Sequence, residues 1–189
     1  MIDTTTFDEI LTFVEDQVGI PACIAGGAVR DALLHREPKD YDVFLLVKEP
    51  ALPYKLEGLP WANEELLPPS IDNGLHLGSY TWYDGIPLEL VIGDALTPDE
   101  LLDRFDWNVT QFAYTLKDGL LQRCPIKTPG TLSDVPLELV NRDKEPLATL
   151  RRGFRFQERY GMEFDASDLE FLLEQALVQI KPMKRRAKV

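Results

Sequence analysis

The chain is poor in cysteine, histidine and basic residues. It has two cysteines in 189 residues. Cys23 and Cys124 lack metal-ligand spacing and make no disulfide framework. Cys23 lies in an apolar run and reads as a small buried hydrophobe. His35 reads as a helix end near its negative pole, and His76 sits in a strand pattern without a nameable partner. Lys and Arg number 20 against 32 Asp and Glu, a net charge of −12. Phosphate-backbone binders usually show a basic face, so this balance argues against strong, unaided binding of long nucleic acid. Local fields still matter more than totals. The one basic cluster, Lys181 to Lys188, reads as a solvated terminus. No apolar run approaches the roughly 20 residues of a membrane helix, so no membrane partner is expected. The start, Met1-Ile2-Asp3-Thr4, lacks the basic and apolar pattern of a signal peptide. A cytoplasmic, reducing location is therefore expected. There is no internal repeat.

Element patterns alternate. Thr6 is expected to cap a first helix with Phe7, Ile10, Leu11 and Val14 on one face. Gly19 and Pro21 end it. Ala22 to Ala25 reads as a short buried strand. Gly26-Gly27 follow, then a helix from Ala28 to His35, broken at Glu37-Pro38. Tyr41 to Val47 reads as a second strand. Residues 48 to 74 read as loop with one short helix. Leu75 to Trp82 and Ile86 to Ile92 flank Asp84-Gly85, a hairpin signal. Thr97 caps a helix starting at Pro98. Phe112 to Leu116 and Leu120-Leu121 flank Asp118-Gly119, a second hairpin. Pro146 to Tyr160 and Ser167 to Ile180 read as helices, the second capped from Asp165 to Ser167. The plan is α/β: a head over residues 1–140, then a helical extension over 141–189.

Three carboxylates stand out. On a strand, Asp40 and Asp42 would point to one face. Paired carboxylates repel unless a cation lies between them, and Mg²⁺ suits such a pair. Glu89 interrupts the apolar strand Pro87 to Ile92, opposite the face of Leu88, Leu90 and Ile92. It is the candidate third ligand of a two-ion site. Gly26-Gly27, between strand and helix, lets backbone N–H groups approach a phosphate. Arg30, one turn on, can reach a triphosphate. Asp31 reads as an anchor for that loop.

Gly26-Gly27-Ala28-Val29-Arg30-Asp31, followed by Pro38-Lys39-Asp40-Tyr41-Asp42, resembles the signature of the class II CCA-adding enzyme and bacterial poly(A) polymerase family. Arg104 to Tyr114 and Arg151 to Gly161 resemble two later elements of the same family, in order. The resemblance spans about residues 22 to 165. It implies a polymerase-β-like nucleotidyltransferase head with a mixed sheet, followed by a short helical neck. It implies a nucleoside triphosphate substrate, two Mg²⁺ ions and an RNA 3′ end, tRNA-like, as acceptor. Under it, Asp40, Asp42 and Glu89 are metal ligands and catalytic. Gly26, Gly27 and Arg30 meet the triphosphate, and Asp106 and Arg152 belong to the nucleotide site.

The sequence departs from that family at specific places. Phe105 replaces the second arginine of its R-R-D element, and Thr110 stands where it has asparagine. Its base-reading E-D-x-x-R becomes Glu145-Pro146-Leu147-Ala148-Thr149 or, in the other register, Lys144-Glu145-Pro146-Leu147-Ala148. Neither supplies the arginine. Two other readings therefore stand beside RNA as acceptor. One is nucleotidyl transfer to a protein or small molecule. The other is a non-catalytic nucleotide-binding module.

Overall fold

The structure, a computed structural model, describes residues 3–48, 75–81 and 85–186. The loop expected over 48–74 lies almost wholly outside them, as do Trp82 and Asp84. The chain divides into two compact units. The first is Met1–Phe105 with Thr110–Cys124; the second is Asp106–Val109 with Pro125–Val189.

The first unit opens with α1 (Thr5–Val18), which buries Phe7, Ile10, Leu11, Val14 and Val18 at helical spacing. Its start differs from the expected Thr6. Asp3 Oδ1 accepts the Thr5 N–H at 3.0 Å, and Thr6 lies inside the first turn. Gly19 closes the helix in the left-handed region, φ +66°, with its N–H on Glu15 O at 2.8 Å. Then follow β1 (Ala22–Ala25), α2 (Gly27–Leu33), β2 (Tyr41–Leu45), β3 (Leu75–Thr81), β4 (Pro87–Ile92), α3 (Pro98–Leu102), β5 (Phe112–Thr115) and β6 (Gly119–Gln122). Thr97 Oγ1 caps α3 by accepting the Glu100 N–H.

Among the described residues the strands form one mixed sheet, ordered β3-β4-β2-β1-β5-β6. β2 and β4 run parallel; the other neighbours are antiparallel. Strand alternation sends residues to two faces. Tyr41 and Tyr114 meet α1 through Phe7, whose ring centroid lies 6.2 and 5.6 Å from theirs. Tyr114 Oη donates to Asp8 Oδ1 at 2.7 Å. On the other face Cys23, Phe44, Val91 and Ala113 pack with Leu101, Leu102 and Phe105 around α3. Asp42 and Glu89 share this second face, two residues before Phe44 and Val91 respectively.

The second unit carries α4 (Pro146–Tyr160) and α5 (Ala166–Arg186). Glu145 caps α4 by accepting the Leu147 and Ala148 N–H groups, with Pro146 at the first helical position. Asp165 Oδ1 accepts the Ser167 and Asp168 N–H groups at the head of α5. The core centres on Trp107, which is fully buried and donates Nε1–H to Thr149 O at 3.0 Å. That satisfies the indole's only donor. Gly153 permits this packing: a Cβ there would stand 2.6 Å from the Phe164 ring and 2.7 Å from Trp107. Asn108 ties in the chain from Pro136 to Glu138, donating to Pro136 O and accepting the Glu138 N–H.

Candidate active site

The β1–β2 register pairs Ala22 with Leu45, Cys23 with Phe44 and Ile24 with Val43. Carried two residues on, it sets the Gly26 turn at the same sheet end as Tyr41 and Asp42. On the other side of β2, Asp42 is the direct partner of Glu89 in β4. Directly paired residues put their side chains on one face, so the two carboxylates are neighbours. Asp40 lies just before β2, whose first residue is Tyr41. Strand alternation therefore does not place it, contrary to the expectation that both aspartates share a strand. Its electrostatics do: burial first, then the charges of Asp40 and Glu89, together push the Asp42 carboxyl up to about 7.

Among the described residues, no group of three or more His, Cys, Asp or Glu side chains is arranged to hold a metal ion. The three carboxylates are thus electrostatic neighbours without being a closed cage. Their donor chemistry fits Mg²⁺ all the same. They are oxygen donors on adjacent segments, and their mutual repulsion is what a bound cation relieves.

The Gly26-Gly27 turn has separable requirements. Gly26 sits at φ +78° and ψ −122°, a region only glycine adopts readily. Its N–H donates to Phe112 O at 2.8 Å, which pins the turn to β5. Gly27 has an ordinary φ; a Cβ there would meet the Arg30 guanidinium at 3.5 Å. Arg30 is only 4% exposed, and its Nε donates to Asp31 Oδ1 at 3.0 Å. The Asp31 side chain holds Arg30. Arg30 is thus a buried, engaged cation beneath the turn, not an extended side chain.

Phe105 is buried, with its ring 5.8 Å from that of Phe44, and its edge lies 4.0 Å from where a Gly26 Cβ would stand. The Phe105 ring supports the floor of the turn. Arg104 pairs with Asp94 at 2.8 Å.

Asp106 and Arg152, 46 positions apart, meet in the second unit: Arg152 Nε donates to Asp106 Oδ2 at 2.6 Å. Burial raises the Asp106 carboxyl above its ordinary range, while Arg152 pulls it back down. Thr149 is fully buried, and its backbone oxygen accepts the Trp107 Nε1–H.

Sequence reasoning missed one surface. An open groove of about 560 Å³ is lined by Ala148, Arg151, Arg152, Phe154 and Arg155. Phe154 is 49% exposed. The available signal was an aromatic residue set among arginines, off the apolar stripe of α4.

No protein-family model and no curated protein sequence matches the chain. Solved structures do. A Bacillus stearothermophilus CCA-adding enzyme in complex with CTP is 18% identical, with a TM-score of 0.65 over 93% of this chain and 44% of its own. This is the fold of CCA-adding enzymes. A Thermotoga maritima CCA-adding enzyme complexed with tRNA is 18% identical, with a TM-score of 0.59 over 90% of this chain and 41% of its own. A CCA-adding enzyme in complex with ATP is 18% identical, with a TM-score of 0.58 over 95% of this chain and 44% of its own. The chain spans less than half the length of these proteins. The mixed sheet with its flanking helices, expected from the sequence, is thus the shared feature.

Proposed function

We propose that the protein is a Mg²⁺-dependent nucleotidyltransferase that adds a nucleotide from a nucleoside triphosphate to an RNA 3′ end. One observation carries this reading. Asp42 and Glu89 are paired across β2 and β4, with Asp40 acting on the same carboxyl, at the sheet end that holds the Gly26-Gly27 turn. CTP, ATP and tRNA are the bound molecules of the solved CCA-adding enzymes that share the fold.

In this reading Asp40, Asp42 and Glu89 hold two Mg²⁺ ions. When bound, these neutralise phosphate charge and assist both the attacking and the leaving oxygen. The residues around them orient the substrate. Gly26 and Gly27 let backbone N–H groups approach the triphosphate. Arg30, fixed by Asp31, adds positive potential beneath that turn and holds its shape. The 3′ oxygen of the acceptor attacks the α-phosphorus, the bond to the β-phosphate oxygen breaks, and pyrophosphate leaves. Asp106 and Arg152 are assigned to nucleotide contact in the second unit. Exposed Arg151, Arg155 and Phe154 give that unit charges for phosphate and a ring for a base.

A second reading keeps the same chemistry and changes the acceptor to a protein or small molecule. The net charge of −12 favours it. Incubation with each α-phosphate-labelled NTP, Mg²⁺ and tRNA transcripts separates the readings. Label on the RNA supports the first. Label on protein or a small molecule alone supports the second. NTP binding with no pyrophosphate release, whatever the acceptor, would leave a nucleotide-binding module and sink both.

A further inference from the structure

We propose that Phe105 is a positioning residue of the candidate site: its ring sets the spacing between the Gly26-Gly27 turn and the strand that carries Asp42. The inference rests on the nucleotidyl-transfer reading and concerns the first unit alone. Phe105 carries no polar group and is buried, so it acts through what it touches. Its Cε2 lies 4.0 Å from where a Gly26 Cβ would stand, which is ordinary contact distance. Its ring centroid lies 5.8 Å from that of Phe44, with the planes at 62°. Such edge-on pairs have a preferred geometry. Phe44 follows Asp42 by two residues and shares its face of β2. One side chain thus touches the turn on one side and the carboxylate strand on the other.

The sheet leaves room for that ring. Glu89 is level with Asp42 across β4 and β2, and Ala25 is level with Ala113 across β1 and β5. The β1–β2 register, carried one residue on from Ile24 and Val43, joins the two pairs into one row. The row reads Glu89, Asp42, Ala25, Ala113 on one face. Acids occupy one end and small residues the other. Phe105 packs in one cluster with Ala25, Ala113, Phe44 and Val91. The Gly26 N–H on Phe112 O holds the turn within the plane of the sheet. The ring supports it from the face, and a close-packed core does not let it sink. Spacing matters because charge interactions fall with distance. Without a cation the carboxylates oppose a triphosphate on the turn. With Mg²⁺ between them they favour it. A fixed spacing therefore couples NTP binding to Mg²⁺, and a loose one uncouples them.

Isothermal titration calorimetry on the full chain tests this, with each of the four NTPs, in Mg²⁺ and in EDTA. The readout is the factor by which Mg²⁺ tightens NTP binding. The wild type is expected to show about tenfold, and Asp42→Asn almost none. Phe105→Leu keeps an apolar side chain, and its circular dichroism is expected to match the wild type. In EDTA it is expected to bind NTP within about twofold of the wild type, while its Mg²⁺ factor falls below about threefold. Ile10→Val loosens the core on the α1 side. It is expected to lower the melting temperature and keep the wild-type factor, which separates positioning from stability. A wild-type factor in Phe105→Leu overturns the proposal and leaves the nucleotidyl-transfer reading standing. So does an equal loss of the factor in Ile10→Val. No NTP binding by the wild type overturns both. Should Phe105→Leu fail to fold, Phe44→Leu removes the same ring contact from the other side, and full coupling in that variant overturns the proposal.

Discussion

Arg152 and Asp106, 46 residues apart, form an ion pair at 2.6 Å, with Asp106 only 7% exposed. The pair ties the middle of α4 to the short segment Asp106–Val109. It also leaves a buried carboxylate that depends on one guanidinium for compensation.

Removing that guanidinium makes stability pH-dependent. Asp106 already sits above the ordinary carboxylate range because burial outweighs Arg152. Without Arg152 its folded affinity for a proton rises further. A group with a raised folded pKa contributes its stability at low pH and loses it as pH rises. Arg152→Met is expected to cost about 2 kcal/mol at pH 8 and clearly less near pH 4. Urea unfolding at the two pH values measures it; an equal cost at both would show that the pair is not what Asp106 leans on.

Gly153→Ala is expected to destabilise the second unit by about 2 kcal/mol through overpacking. Its Cβ would lie 2.6 Å from Phe164 and 2.7 Å from Trp107, and the Trp107 side chain is fully buried. Trp107 fluorescence during denaturation reports the loss. Adding Phe164→Leu should recover part of it by removing the nearer ring.

The two glycines of the turn should separate. Gly26→Ala puts a side chain at φ +78° and is expected to cost about 2 kcal/mol in strain. Gly27→Ala meets only the Arg30 guanidinium at ordinary contact distance, so stability should barely change. If the turn receives a triphosphate, Gly27→Ala nevertheless weakens NTP binding several-fold. Thermal melts and NTP titrations on both variants check this. Intact binding in Gly27→Ala would move the phosphate elsewhere.

Asp42 predicts a pH effect on the metal-free protein. Its carboxyl is lifted from 3.8 to about 7. Because the folded form holds the proton more tightly, metal-free stability should fall as pH rises from about 4 to about 7, by a few kcal/mol. Asp42→Asn should flatten that slope. Mg²⁺ should raise the melting temperature of the wild type at pH 8 and leave Asp42→Asn nearly unmoved. A flat wild-type profile contradicts the picture of crowded carboxylates.

The sequence carried most of the local structure for identifiable reasons. Helical spacing placed Phe7, Ile10, Leu11 and Val14. Thr97-Pro98 located α3, and Asp118-Gly119 located the β5–β6 hairpin, because caps and turns are decided within a few residues. Glu89 stood out because it broke an apolar strand. What stayed hidden depends on long-range pairing. The Asp42–Glu89 register and the meeting of Arg152 with Asp106 are set by packing, not by neighbours in sequence. Asp40 escaped the strand argument because β2 begins one residue later, at Tyr41. Phe105 could be seen as a departure from the family pattern; its role under Gly26 could not.

The most direct test of the account is the rate of Mg²⁺-dependent pyrophosphate release from NTP with an RNA acceptor, for wild type and Asp42→Asn. The account predicts release by the wild type, a loss on the order of a thousandfold in Asp42→Asn and no loss of fold in the variant. Equal rates in the two proteins would contradict it, because the paired carboxylates would then have no part in the chemistry.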